Sequence, residues 1–228
     1  MKGFDLVIFD CDGVLIESEA QGAQALAEAV TAAGRAMKAH EAGHLFCGCS
    51  HDQTGDLIAQ MGLDAETVLR DAVQRLSLLF AQGVQQMPGM QELLTGLDTR
   101  ICVASNSSVK RLAGSLGRTA LAPLFGTHIY SADHVSKGKP APDLALHCLA
   151  QMHSTAERAI FIDDNIHGVA CARAAGILAV GFVGPSEHRA GHAQTLREAG
   201  ADYVVHGTAE LQALLSDLLA PTLIGAAE

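Results

Sequence analysis

Six short apolar runs rich in β-forming residues recur along the chain, at Phe4 to Phe9, Ile101 to Ala104, His128 to Tyr130, Ala159 to Ile162, Leu178 to Phe182 and Tyr203 to Val205. The first ends abruptly in acidic and Gly residues, the pattern of a buried strand. Between the later runs lie helical patterns, at Asp143 to Gln151, Val169 to Ala175 and Arg189 to Ala199. Strands alternating with helices predict an α/β fold, a mostly parallel sheet with helices on both faces.

One segment breaks the alternation. Residues 17–86 are Ala-rich and carry apolar residues from Leu26 to Leu79 at helical spacings, with no convincing strand. A helical block after the first strand of an α/β chain reads as an inserted domain. Its borders are polar or turn-prone, Glu17-Ser18-Glu19 on one side and Met87-Pro88-Gly89 on the other. The predicted partition is therefore a core of residues 1–16 and 87–228 and an inserted helical domain of residues 17–86.

Charge narrows the partners. The chain has 15 Lys+Arg against 25 Asp+Glu, a formal net of −10, with no basic run. Nucleic-acid affinity rests largely on clustered Lys and Arg, so no nucleic-acid partner is expected. Acidity also fits poorly with anionic lipid, and no apolar run reaches membrane-spanning length. The N-terminal apolar run is too short and too acidic for an export signal, which predicts a cytoplasmic protein with reduced cysteines. Cys47-Gly-Cys49 is the only close cysteine pair among six, and nothing supplies the second ligand pair of a zinc site. A small anionic substrate remains open, because a local site can be electropositive in an acidic protein.

Four loops that follow strands carry chemistry. Asp10 and Asp12 in Asp10-Cys11-Asp12-Gly13 are two residues apart, so an extended backbone points both to one side. In parallel sheets that is the end where ligands bind. Alone, the pair reads equally as a polar turn. Asp163-Asp164 ends another apolar run and leads into a helix, for which an N-cap is the lesser alternative role. Should three of these carboxylates converge, each close pair repels by roughly 4 kcal/mol at an effective dielectric of about 20. Such a cluster needs protons or a hard cation, and Mg²⁺ suits one or two carboxylates plus a substrate phosphate. Ser105-Asn106-Ser107-Ser108 offers a hydroxyl and backbone N–H groups at a helix start, a ready anion site. Lys139 precedes Pro140-Ala141-Pro142, a stiff turn that would aim it reproducibly.

Together and in this order, the four segments resemble the haloacid dehalogenase superfamily, in its phosphatase branch with a helical cap inserted after the first motif. FDCDGVLIES is similar to the family's DxDG motif, VASNSS to its Ser/Thr motif, KPAPD to its lysine motif and FIDDNIHGVACARAAG to its paired-acid motif. The resemblance runs from Phe4 to about Ala213 and implies a Rossmann-like sheet with residues 17–86 as the cap. It further implies Asp10 as nucleophile, Asp12 as general acid and base, and Ser105, Asn106 and Lys139 as phosphoryl-binding residues. Mg²⁺ would be held by Asp10, the Asp12 backbone carbonyl and Asp164, with Asp163 ligating directly or through water. Two departures stand inside the site: relatives often have Glu at Asp163 and Ser or Thr at Asn165.

Asp12 favours phosphoester chemistry, since the dehalogenases and phosphonoacetaldehyde hydrolases of this superfamily lack an acid there. The alternative is a β-phosphoglucomutase-like phosphosugar mutase, which shares all four motifs. Its cap-entry His is absent from Glu19-Ala20-Gln21-Gly22, and His51 stands near where its cap Arg belongs. His does not replace the bidentate Arg fork, so hydrolysis is favoured. Glu17, Ser18, Gln21 and His51, with the loop Phe46 to Asp52, are the expected substrate-binding groups of the cap. They are polar rather than aromatic, and only 4% of the chain is aromatic. A sugar or polyol phosphate therefore fits better than a nucleotide, as in bacterial phosphatases acting on 6-phosphogluconate and similar compounds. A monomer or weak homo-oligomer is expected.

Overall fold

The computed structural model describes residues 3–46, 49, 51–185, 187 and 189–220. The strands are β1 (Leu6–Phe9), β2 (Arg100–Ser105), β3 (Ile129–Ser131), β4 (Ala159–Asp163), β5 (Leu178–Val183) and β6 (Tyr203–His206). Helices α1 (Glu19–Ala32), α2 (Ala39–Phe46), α3 (His51–Gln60) and α4 (Ala65–Gln82) follow β1. Then come α5 (Met90–Gly96), α6 (Val109–Gly114), α7 (Ala122–Phe125), α8 (Asp143–Gln151), α9 (Ile166–Ala174), α10 (His192–Glu198) and α11 (Gly207–Leu219). Each expected strand is present, with ends shifted by one or two residues.

The six strands are all parallel, in the order β3-β2-β1-β4-β5-β6. This is the Rossmann-like order, and its direction reverses beside β1, so the ligand crevice lies beyond the carboxyl ends of β1, β2 and β4. Both faces are buried. Val7, Phe9, Val103, Ile160 and Ile162 pack on one side with Met90, Leu93, Leu112, Phe125, Leu211 and Leu215. Leu6, Ile8, Cys102, Ala104 and Phe161 pack on the other with Leu144, Cys148, Val169, Ala172 and Leu196. Alternate residues of a strand point to opposite faces, so continuous apolar runs such as Leu6–Phe9 are what a sheet covered on both sides requires.

Helices α1 to α4 share a separate apolar cluster built on Ala29, Val30, Ala42, Phe46, Ile58 and Val68. The chain leaves and re-enters the sheet region along paired segments. Ile16 bridges Gln86 antiparallel, Glu17 N–H donates to Gln85 O and Met87 N–H donates to Leu15 O, both at 2.9 Å. Gln21 adds a bond from Nε2 to Gly83 O at 2.8 Å. Among the described residues no helix is long and apolar enough to cross a membrane. Cys11, Cys49, Cys102, Cys148 and Cys171 are free thiols, and Cys47 lies outside the described residues.

Candidate active site

Strand register brings the first two carboxylates together. Phe9 is level with Val103 on β2 and with Ile162 on β4, and Asp10 N–H donates to Ile162 O at 2.9 Å. Asp10 and Asp163 therefore leave adjacent strands at the same height, about 4.8 Å apart at the backbone. Ser105 ends β2 beside them. Sequence positions far apart thus become one acidic edge because the strands run parallel and in step.

Lys139 closes this edge. Its Nζ lies 2.7 Å from Asp10 Oδ1 and 2.7 Å from Asp163 Oδ2, and also donates to Ala104 O at 3.1 Å. The loop that carries it, with a cis Lys139–Pro140 peptide, is tied to the β2 loop through Asn106. Asn106 Oδ1 accepts from Lys139 N–H at 2.8 Å, and Asn106 Nδ2 donates to Lys139 O at 2.9 Å. Asn106 therefore acts here as a brace for the lysine loop. Burial opposes the Lys139 charge, but Asp10 and Asp163 outweigh it and raise the ammonium's affinity for its proton.

One ammonium does not balance three carboxylates. Asp10, Asp163 and Asp164 each offer an oxygen within 4.8 Å of the others. Burial pushes the Asp10 carboxyl up to about 7, the Asp163 and Asp12 charges adding to the rise and Lys139 opposing it. Burial likewise lifts Asp164 well above the usual carboxylate range, helped by Asp163, Asp10 and Glu19. A cluster this short of positive charge, with oxygen as its only donor, fits a hard cation such as Mg²⁺. Backbone space is shaped to the same end. A Cβ at Gly168 would collide with the Asp163 carboxylate, and one at Gly13, whose φ is +80°, with that of Asp164.

The helix cap that Asp163 and Asp164 were suited to make is made by their neighbour. Asn165 Oδ1 accepts from His167 N–H at 3.0 Å and caps α9, while Asn165 N–H donates to Asp163 Oδ1 at 2.9 Å. The cap is thus made without either carboxylate, and Asp163 is buried between Lys139 and Asn165 N–H. Behind the two aspartates His192 Nε2 lies 2.7 Å from Asp164 O, and the Arg189 guanidinium, paired with Glu187, lies 3.8 Å from Asp164 Oδ2.

Asp12 stands apart from this cluster in a polar cradle. Ser18 Oγ donates to Asp12 Oδ1 at 2.5 Å, Ser107 Oγ to Oδ2 at 2.9 Å and Arg111 Nη2 to Oδ1 at 3.1 Å. Burial opposes its ionisation, but Arg111 and the Ser18 and Ser107 hydroxyls outweigh it and hold the carboxyl below its ordinary range. Two carboxylates two residues apart therefore sit in opposite electrostatic settings: without a cation Asp10 is the more readily protonated and Asp12 the ionised one, so Asp10 needs added positive charge to act as a nucleophile and Asp12 must take up a proton before it can act as an acid.

The other expected site residues fall as follows. Ser105 is buried, its Oγ accepting from Ser107 N–H at 3.1 Å. Ser18, expected among the substrate-binding groups, is buried and donates to Asp12. Glu17 is half-buried in the segment paired with Gln85. His51 opens α3, and its side chain lies outside what is described, as do Cys47, Gly48 and Ser50 of the expected substrate loop. Ser107 and Arg111 were not anticipated as partners of Asp12. No local signal pointed to them: Ser107 precedes the Ser108 cap of α6 and Arg111 lies inside the helix, so no helical spacing relates the two.

The family model of haloacid dehalogenase-like hydrolases matches residues 7–182, and the chain belongs to that family. It is 27% identical over 174 residues to the 6-phosphogluconate phosphatase of Escherichia coli K12, covering 74% of this chain and 77% of that protein. It is 25% identical over 205 residues to the phosphorylated carbohydrates phosphatase of Thermotoga maritima, covering 86% and 92%. Among solved structures, a haloacid dehalogenase family hydrolase from Deinococcus radiodurans R1, with bound phosphate and sodium, superposes with a TM-score of 0.81. The two are 32% identical, with 96% of this chain and 99% of that one covered.

Proposed function

We propose that this hydrolase is a Mg²⁺-dependent phosphomonoesterase of small phosphorylated carbohydrates, working through an aspartyl-phosphate on Asp10. The family and the phosphatases among its relatives make it an enzyme of the phosphatase class. The observation that supports the finer reading is that the two aspartates of the β1 loop have separate surroundings. Asp10 is bonded to Lys139 at 2.7 Å inside the acidic edge, and Asp12 lies in a separate cradle of hydroxyls and a guanidinium.

In this reading an Asp10 oxygen attacks phosphorus and the bond from phosphorus to the ester oxygen breaks, while Asp12, having first taken up the proton of a substrate phosphate monoanion, passes it to that oxygen. Water then attacks the phosphorus of the aspartyl-phosphate, Asp12 takes a proton from it, and the bond from phosphorus to Asp10 breaks to release phosphate. Splitting one displacement in two lets a single carboxyl serve as acid and then as base. Lys139 and the Ser105 and Asn106 loop orient the phosphoryl oxygens and balance their charge. Asp10, Asp164, Asp163 and the Asp12 carbonyl would hold Mg²⁺, which supplies the positive charge that three carboxylates and a phosphate dianion demand. Residues 17–86 act as the cap over this crevice, supported by their own apolar cluster and the paired segments at Ile16 and Gln86. Glu17 and His51 belong to its substrate-binding side. The polar surroundings suit a sugar or polyol leaving group, in a cytoplasmic enzyme that is a monomer or weak oligomer.

Turnover of p-nitrophenyl phosphate and of a panel of sugar phosphates tests the reading. Released phosphate should require Mg²⁺, and Asp10→Asn should abolish it while leaving the protein folded. An active Asp10→Asn protein would overturn the reading. Conversion of β-glucose 1-phosphate to glucose 6-phosphate without phosphate release would replace it with the mutase.

A further inference from the structure

Arg111 has more hydrogen-bonding capacity than the resting site uses. Its Nη2 donates to Asp12 Oδ1 at 3.1 Å, while its Nε is buried and has no hydrogen-bond partner. The guanidinium stands over the Phe80 ring of α4, 5.8 Å from the centroid, so it lies where the sheet's crevice meets the helical block. Its side chain keeps 38% of its exposure. A buried N–H without a partner is costly, and a guanidinium offers five donors in a fixed fork. The remaining donors therefore favour an oxyanion that comes and goes.

The location says which oxyanion. Asp12 is the group that meets the ester oxygen of the leaving alcohol, and Arg111 is one hydrogen bond beyond it on the side of Phe80. A guanidinium there is within reach of substituents on the alcohol and lies beyond the transferring phosphoryl group, which belongs to Lys139 and the β2 loop. Asp12 already has Ser18 and Ser107 as further donors, so Arg111 can turn outward without stranding the carboxylate.

We propose that Arg111 is a specificity residue that grips an anionic substituent of the leaving alcohol, so that the preferred substrates are phosphomonoesters bearing a second acid group. This rests on the phosphatase reading and deepens it. The second acid is a carboxylate or a second phosphate, since both accept a bidentate guanidinium fork. Gripping it withdraws one donor from Asp12, which ties recognition of the leaving group to the freedom of the carboxyl that serves it.

Matched substrates test this. The carboxylate arm compares 6-phosphogluconate with sorbitol 6-phosphate, and the phosphate arm compares fructose 1,6-bisphosphate with fructose 1-phosphate. In the Mg²⁺-loaded wild type, kcat/KM should favour the doubly anionic member of at least one pair by about tenfold to a hundredfold, the worth of a charged hydrogen-bonded contact. In Arg111→Gln that ratio should fall toward one, and Arg111→Lys should retain part of it. Equal kcat/KM within both pairs in the wild type, or a ratio unchanged by Arg111→Gln, would overturn the assignment. If Arg111→Gln does not fold, the wild-type ratios and Arg111→Lys still decide. Absence of any turnover that depends on Asp10 would instead sink the phosphatase reading.

Discussion

The Lys139 ammonium and the Asp10 carboxylate are bonded at 2.7 Å, and both side chains are almost wholly withdrawn from solvent. Lys139 is the only cation within hydrogen-bonding distance of Asp10 among the described residues, and it also serves Asp163. Removing one member of such a pair leaves a buried charge without its partner. Lys139→Met should therefore lower stability by about 3–5 kcal/mol in metal-free protein, read from denaturant midpoints. Mg²⁺ should restore part of that loss, while phosphate release stays at background.

Gly168 gives a second, sharper test of how tightly the acidic edge is packed. A methyl group there meets the Asp163 carboxylate, which is fixed by Lys139 on one oxygen and by Asn165 N–H on the other. Gly168→Ala should cost about 1–3 kcal/mol of stability through overpacking. The same variant should weaken Mg²⁺ activation of turnover, which titration with the ion would read. Gly22→Ala, in α1 with open space around its Cα, should stabilise or leave the protein unchanged.

Metal and proton compete for the same oxygens, which fixes the sign of a pH effect. Asp10 is raised to about 7 and Asp164 is raised as well, so in the metal-free fold these groups hold protons that the unfolded chain has lost. Their contribution to stability is present at low pH and is lost as pH rises from about 4 toward 7. Mg²⁺ needs the ionised forms, so its binding displaces those protons. The rise in melting temperature on adding Mg²⁺ should be small at pH 5 and larger at pH 8. A shift independent of pH would contradict the arrangement.

Asp12→Asn separates the two chemical steps. p-Nitrophenolate leaves readily without a proton, whereas a sugar alkoxide needs one. The variant should lose about 10²–10⁴-fold on sugar phosphates through the missing acid. With p-nitrophenyl phosphate it should release a burst close to one equivalent of nitrophenol and then stall, since the second step lacks its base. Rapid-mixing absorbance and acid-trapped phosphoprotein report the two halves.

Much of this site was legible from local sequence. Asp10, Ser105 and Asp163 each lie at the end of an apolar run and Lys139 immediately precedes a stiff proline turn, and parallel strands place their ends at one edge. Asp163-Asp164 was open between metal ligand and helix cap, and in the structure Asn165 makes the cap. Ser18 looked like a substrate contact because it borders the helical block. Its 2.5 Å bond to Asp12 depends on how the segment after β1 folds back, which no periodicity reports.

The sequence by itself determined which runs become strands, the helical stretch between the first two of them, and the residues at the strand ends. It could do so because burial on both faces leaves continuous apolar runs, and chemistry in a parallel sheet lies at one end of them. Only the tertiary structure decided the pairings: Lys139 between Asp10 and Asp163, and Ser107 and Arg111 on Asp12. Those contacts join residues tens of positions apart, through register between strands and through the docking of α6 against α4. Hydrophobic patterning records which face of an element is buried, but not which charged side chain another element brings to it.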